Sequence, residues 1–118
     1  MHIAPDASFS VVALVWLPGQ FTPVHDHIAW CVVGTYQGSE EEVRYRMTAQ
    51  NGKEYLEETE VNVTPPGHAM FIVPPGDIHK VRNSADGQSV SVHVYGADIG
   101  LNQTTSIRRC YNHPVLNN

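Results

Sequence analysis

A chain of 118 residues has the material for one hydrophobic core and not for two, and its 42% apolar and 16% charged side chains are those of a globular domain, which excludes a disordered segment. Its formal net charge of −5, with acids gathered at Glu40 to Glu42 and Glu57 to Glu60, argues against nucleic acid as a partner. No apolar run approaches the length of a bilayer span, and the opening MHIAPDASFS lacks the charged and apolar regions of a secretory leader. The expectation is a cytoplasmic protein without membrane contact, a single domain over residues 1–118 in which Cys31 and Cys110 are reduced thiols.

In chain order, a short extension over residues 1–8 leads into SFSVVALVW, AWCVVGTYQG, EEVRYRM, EYLEETEVNV, AMFIVPP and SVSVHVYG. Turn formers separate these runs: Pro18-Gly19, Gly38-Ser39, Asn51-Gly52, Pro65-Pro66-Gly67, Pro75-Gly76 and Asp86-Gly87. No window shows helical periodicity, so the predicted class is all-β, an antiparallel sandwich or barrel. Asn51-Gly52 has the chemistry of a hairpin tip. Arg44 and Arg46 alternate with Val43 and Tyr45, and read as exposed strand charges facing the acids at Glu57 to Glu60. From Asn102 to Asn118 the chain is polar and is expected to run over the surface as a tail.

In TPVHDHIAWC, His25 and His27 are two apart, so an extended backbone sends both imidazoles to one face, where they can be neighbouring metal ligands. Taken alone, such a pair is more often a surface feature. Here Gly19 precedes His25 by six positions, Gly38 ends the following run, and PPGDIHKVRN carries Pro74, Gly76, His79 and Asn83. Both groups resemble the two motifs of the cupin superfamily, although Gly67 stands one residue further from Pro74 than in the usual pattern. The resemblance implies a cupin double-stranded β-helix, a jelly-roll-like antiparallel barrel, with His25, His27 and His79 as metal ligands. His2, His68 and His113 lack this context and read as ordinary surface or turn residues.

Most cupins add a glutamate four or five positions after the second histidine, where this chain has Cys31 and Val32. Three neutral imidazoles leave a divalent ion with its full charge and favour an incoming anion. A thiolate suits ferrous iron in that role, and coordination lowers the thiol pKa.

In SVSVHVYG, Ser91, His93 and Tyr95 share one face and Val90, Val92 and Val94 the other. Either the polar face lies in water, or it turns into the barrel and its groups must bond one another to offset the cost of burial. Together, TPVHDH, PPGDIHKVRN and SVSVHVYG resemble the thiol dioxygenases of the cysteine dioxygenase type, over nearly the whole span from Phe9 to Arg109. The resemblance implies Fe(II) on His25, His27 and His79. It also implies an outer triad of Ser91, His93 and Tyr95, with the tyrosine hydroxyl beside the iron.

Cys31 falls seven residues before Gly38, the register at which some members crosslink a cysteine to the tyrosine; the alternative is a buried small hydrophobe. Members usually begin with several dozen largely helical residues, where only residues 1–8 precede the matching strand here. That segment supplies the family's carboxylate reader and covers the face equivalent to Val90, Val92 and Val94. Its lack predicts either self-association through that face or a start upstream of Met1. Arg108 and Arg109 occupy the place of a paired-arginine segment that implies substrate-carboxylate binding; a solvated basic tail is the other reading.

The implied activity is oxidation of a small carboxylated thiol, cysteine or 3-mercaptopropionate, by O2 to its sulfinic acid. Two alternatives stay open: a cupin of other activity with nickel or manganese, and a non-catalytic cupin that binds a ligand or merely holds metal.

Overall fold

The computed structural model describes residues 1–99 and 106–116, and among them the chain is built from strands without a helix. Period-two alternation produces β1 (His2–Ile3), β2 (Ser10–Trp16), β3 (His25–His27), β4 (Cys31–Gln37) and β5 (Glu40–Gln50). β6 (Lys53–Thr64), β7 (Ala69–Ile72), β8 (His79–Asn83), β9 (Ser89–Tyr95) and β10 (Ile107–Cys110) follow. They pair into two five-stranded antiparallel sheets, ordered β1-β2-β9-β4-β7 and β10-β3-β8-β5-β6. The sheets face each other as the expected double-stranded β-helix.

Register decides what faces inward. In the β4–β9 ladder Cys31 stands opposite Tyr95, Val33 opposite His93 and Thr35 opposite Ser91. This set points into the barrel together with Trp16 and Ile72, all but Tyr95 being buried. The alternate positions of the same sheet form an apolar outer face. Val15, Val32, Phe71 and Val92 lie exposed on it, so the valine face expected at β9 exists and extends over its neighbours.

Two turns explain their glycines. Asn51 and Gly52 both have positive φ, 53° and 78°, and close the long β5–β6 hairpin as a tight turn. Gly38, at φ 78°, ends β4 where a Cβ would collide with the Ser89 side chain. That close approach is tied by Ser39 N, which donates to Ser89 Oγ at 3.1 Å, and by Ser89 Oγ, which donates to Asn83 Oδ1 at 2.7 Å. Asn83 also donates to the carbonyls of Leu17 and Gly87 at 3.1 and 2.9 Å, so the motif asparagine joins loops.

The expected surface tail differs from what its described part does. Residues 100–105 and 117–118 lie outside the described residues, but Ile107–Cys110 forms β10 on the open edge of β3. Tyr111 then packs against Val43, Tyr45 and Leu56 in a second small core outside the barrel. The reason is hydrogen bonding: β3 pairs with β8 on one side only, and β10 engages the backbone groups of its other edge.

Candidate metal centre

His25 and His27 leave β3 on the same face, and His79 stands directly opposite His25 on β8. The three rings are buried, with centroids 4.7 to 4.8 Å apart, and one nitrogen from each lies within 4.8 Å of the others. Each Nδ1 has an acceptor behind it: Pro23 O at 2.7 Å for His25, Asp77 Oδ2 at 2.8 Å for His27, and Glu42 Oε2 at 2.7 Å for His79. These partners place hydrogen on Nδ1 and leave the Nε2 lone pairs free, the arrangement in which imidazole binds metal.

Burial, followed by the mutual repulsion of the rings, lowers the pKa of His25 to about 4 and also lowers that of His27. Both are neutral ligands at ordinary pH. Burial pushes Glu42 upward, but hydrogen bonds from His79 and Arg44 outweigh it and hold the carboxyl down at about 2. The donor set fits a divalent ion held by three imidazoles, with the carboxylates behind the rings and none among the ligands.

A cavity of about 230 Å³ opens beside the rings. His25, His27, His79, His93 and Tyr95 line it together with the hydroxyls of Thr22 and Ser106 and the Cys31 thiol, and the walls are mainly aliphatic, with Val12, Leu14, Ile72 and Ile99 among them. Of the two readings of SVSVHVYG, the structure shows the buried one. Ser91 Oγ lies 2.8 Å from His93 Nε2, and Tyr95 Oη lies 3.3 Å from His93 Nδ1. Trp16 Nε1 donates to Ser91 Oγ at 3.0 Å. Burial, then the charges of His79 and His27, brings the His93 pKa down to about 4. Burial pushes the Cys31 thiol up to about 12 and raises the Tyr95 phenol as well, so both are protonated at neutral pH.

The two arginines are not brought to this cavity. Arg108 Nε donates to Asp26 Oδ2 at 3.2 Å, Tyr111 Oη donates to the same oxygen at 2.7 Å, and the Arg109 guanidinium lies 4.2 Å over the Tyr111 ring. Asp26 alternates with the two histidines, so this group occupies the opposite face of β3. Arg46 pairs with Glu57 at 2.6 Å and Arg44 stands opposite Glu60 at 4.0 Å, as expected, but Arg44 is half-buried and its nearer partner is Glu42 at 2.8 Å. All seven lysines and arginines of the chain lie outside the cavity lining.

Sequence reasoning missed Asp77, Glu42, Glu40 and Trp16. Asp77 had a signal in its place two before His79, and Glu42 in its period-two spacing from Glu40. Both glutamates are buried, and of that acidic run only Glu41 faces outward, paired with Arg82 at 2.9 Å.

A double-stranded β-helix with three buried histidines that could hold a metal ion has the architecture of a metal-binding cupin. The family model for cysteine dioxygenase type I matches residues 2–103, and the chain belongs to that family. Among solved structures, a Cupin 2 conserved barrel domain protein from Salinispora arenicola is 21% identical, with a TM-score of 0.59 over 88% of this chain and 77% of that one. Peruvianin-I, a cysteine peptidase from Thevetia peruviana latex, is 22% identical with a TM-score of 0.57 over 77% of this chain. An oxalate oxidase in complex with the substrate analogue glycolate is 19% identical with the same TM-score over 77% of this chain. The chain spans 52% of Peruvianin-I and 43% of the oxidase, and these likenesses describe the fold.

Proposed function

We propose that the chain is a non-haem Fe(II) thiol dioxygenase that converts a small carboxylated thiol, cysteine or 3-mercaptopropionate, and O2 to the sulfinic acid. The observation that carries this reading is the pairing of three neutral imidazoles, with no carboxylate in the donor set, and a tyrosine hydroxyl held by its own histidine in the same small cavity. Ferrous iron on the three Nε2 atoms would supply the sites where sulfur and dioxygen meet and the electrons that activate dioxygen. The protein's part is to hold those rings, to leave charge balance to the substrate thiolate, and to exclude water with Val12, Leu14, Ile72 and Ile99.

Tyr95, oriented by His93 and Ser91, serves as the hydrogen-bond donor to substrate and oxygen. No lysine or arginine lines the cavity, which leaves the substrate carboxylate to neutral donors of the lining, Tyr95, Thr22 and Ser106, while Arg108 and Arg109 remain engaged on the far side of β3. A Cys31–Tyr95 thioether is supported by their direct opposition across β4 and β9 and by their shared place in the lining; intact mass short by two hydrogens tests it. The exposed Val15, Val32, Phe71 and Val92 face supports a homo-oligomer, and two free thiols support a reducing, cytoplasmic location.

The test is oxygen uptake by iron-loaded protein with cysteine and with 3-mercaptopropionate, reading product mass for two added oxygen atoms. Uptake with either and a sulfinate product supports the reading. Bound iron without uptake on any thiol overturns it in favour of the second reading, a metal-holding cupin of another activity or of none, which the lack of a cation in the cavity favours.

A further inference from the structure

Glu40 opens β5 and turns into the barrel on the same face as Glu42, with 1% of its surface exposed. Glu42 has Arg44 and His79 as partners, whereas Glu40 faces neutral side chains, Asn83 across the ladder on β8 and Thr64 on β6. The donors nearest its carboxyl are the Ser91 hydroxyl and the Trp16 indole. Both are already engaged: Trp16 Nε1 donates to Ser91 Oγ at 3.0 Å, and Ser91 Oγ lies 2.8 Å from His93 Nε2. Neither carboxyl oxygen of Glu40 has a hydrogen-bond partner.

An ionised carboxylate here would have exchanged its water shell for two donors that already serve other acceptors, and burial outweighs their approach and raises the Glu40 pKa. The titratable groups whose charges reach it are His79 on β8, Cys31 on β4 and Tyr95 on β9; β2 and β6 contribute Trp16 and Thr64, which do not titrate. No lysine or arginine joins them.

If the Glu40 carboxyl closes on Ser91, the donor nearest it, the line Glu40, Ser91, His93, Tyr95 has two self-consistent hydrogen-bond directions. With a carboxylate at its inner end, Ser91 donates to Glu40, His93 donates from Nε2 to Ser91, and Tyr95 spends its only proton on His93 Nδ1. With a carboxylic acid there, Glu40 donates to Ser91, Ser91 donates to His93 Nε2, and His93 donates from Nδ1 to Tyr95. Only the second direction leaves the Tyr95 O–H free to donate into the cavity.

We propose that Glu40 is the inner end of this line, a protonated carboxyl that donates to Ser91 and so turns every donor of the relay towards the cavity. It is a positioning residue, acting on Tyr95 through Ser91 and His93. The inference deepens the proposed function by assigning the direction of its proton donor, and its test is independent of turnover.

The full chain, metal-free and loaded with diamagnetic zinc, is labelled with ¹⁵N and its histidine tautomers are read at neutral pH. Expected is a His93 with hydrogen on Nδ1 and a bare Nε2, together with a carboxylic-acid C=O band in the infrared that Glu40→Gln removes. Glu40→Gln keeps a donor and is expected to keep the tautomer; Glu40→Leu has none and is expected to lose the preference. Hydrogen on Nε2 of wild-type His93, or no such carbonyl band, overturns the inference whether or not the variants fold. A chain with the expected tautomer that oxidises no thiol leaves this inference standing and sinks the functional reading.

Discussion

His79 Nδ1 and Glu42 Oε2 lie 2.7 Å apart, with side chains 4% and 1% exposed, and Glu42 is held in turn by Arg44 Nε at 2.8 Å and Asn62 Nδ2 at 3.2 Å. A ring of the candidate metal centre is thus locked by a buried carboxylate that belongs to a different strand. Glu42→Gln keeps the shape and removes the charge. It is expected to weaken divalent-metal affinity by about 10- to 100-fold, measured by competition with a chelator. An unchanged affinity would show that the carboxylate does not orient His79.

Tyr95→Phe removes one hydroxyl from the cavity and leaves the three imidazoles untouched. Metal content should match that of wild type while kcat falls by roughly 10²-fold, as for loss of a positioned proton donor. By contrast, His25→Ala, His27→Ala and His79→Ala should each lose the metal itself, as read by elemental analysis. Loss of metal in Tyr95→Phe would contradict the separation of the two roles.

Gly38 combines a φ of 78° with a backbone that touches Ser89. Gly38→Ala places a Cβ into that contact in a strained conformation, so it should lower stability by about 1–3 kcal/mol in denaturant titrations. Gly52→Ala has the same φ without any atom near the new Cβ, and should cost less. Equal losses would mean that the Ser89 approach is unimportant.

Burial disfavours the His93 imidazolium and lowers its pKa from the ordinary histidine value of about 6.5 to about 4 in the folded chain. The unfolded chain therefore takes up its proton first as pH falls. Its contribution to stability is complete above about pH 6.5 and is lost on the way down to about pH 4, a change on the order of 3 kcal/mol. His25 adds a loss of the same sign over the same range in the metal-free chain. Denaturant midpoints should fall between about pH 6.5 and about pH 4, and His93→Gln should flatten the slope over that window. A steeper slope in the variant would reverse the sign argued here.

Phe71 is 69% exposed beside Val32 on the outer face of the first sheet. If that face joins copies of the chain, Phe71→Glu should shift the sedimenting species to a smaller mass. A wild-type chain that is already monomeric at high concentration would remove the basis for the oligomer.

The histidine-x-histidine spacing of His25 and His27 needed only a strand to share a face, and β3 is that strand. Asn51-Gly52 likewise needed only local φ preferences. The fate of SVSVHVYG was not legible, since alternation says that two faces differ and not which one turns inward. Glu40 and Glu42 looked like members of a solvated acidic run, and nothing local distinguishes a charge that will meet a buried histidine from one that will meet water. Arg108 matched a family segment in position, yet Asp26 on the neighbouring strand is where its side chain goes.

The sequence by itself determined the all-strand class, the turns that cut it into a barrel, and the three histidines that converge, because periodicity, backbone preference and motif spacing are properties of short segments. Tertiary structure alone decided which carboxylates stand behind His27 and His79, that the serine, histidine and tyrosine of β9 face the cavity, and that no lysine or arginine does. Those outcomes depend on register and on which strands become neighbours, and hydrogen bonding between distant segments is settled only when the whole barrel closes.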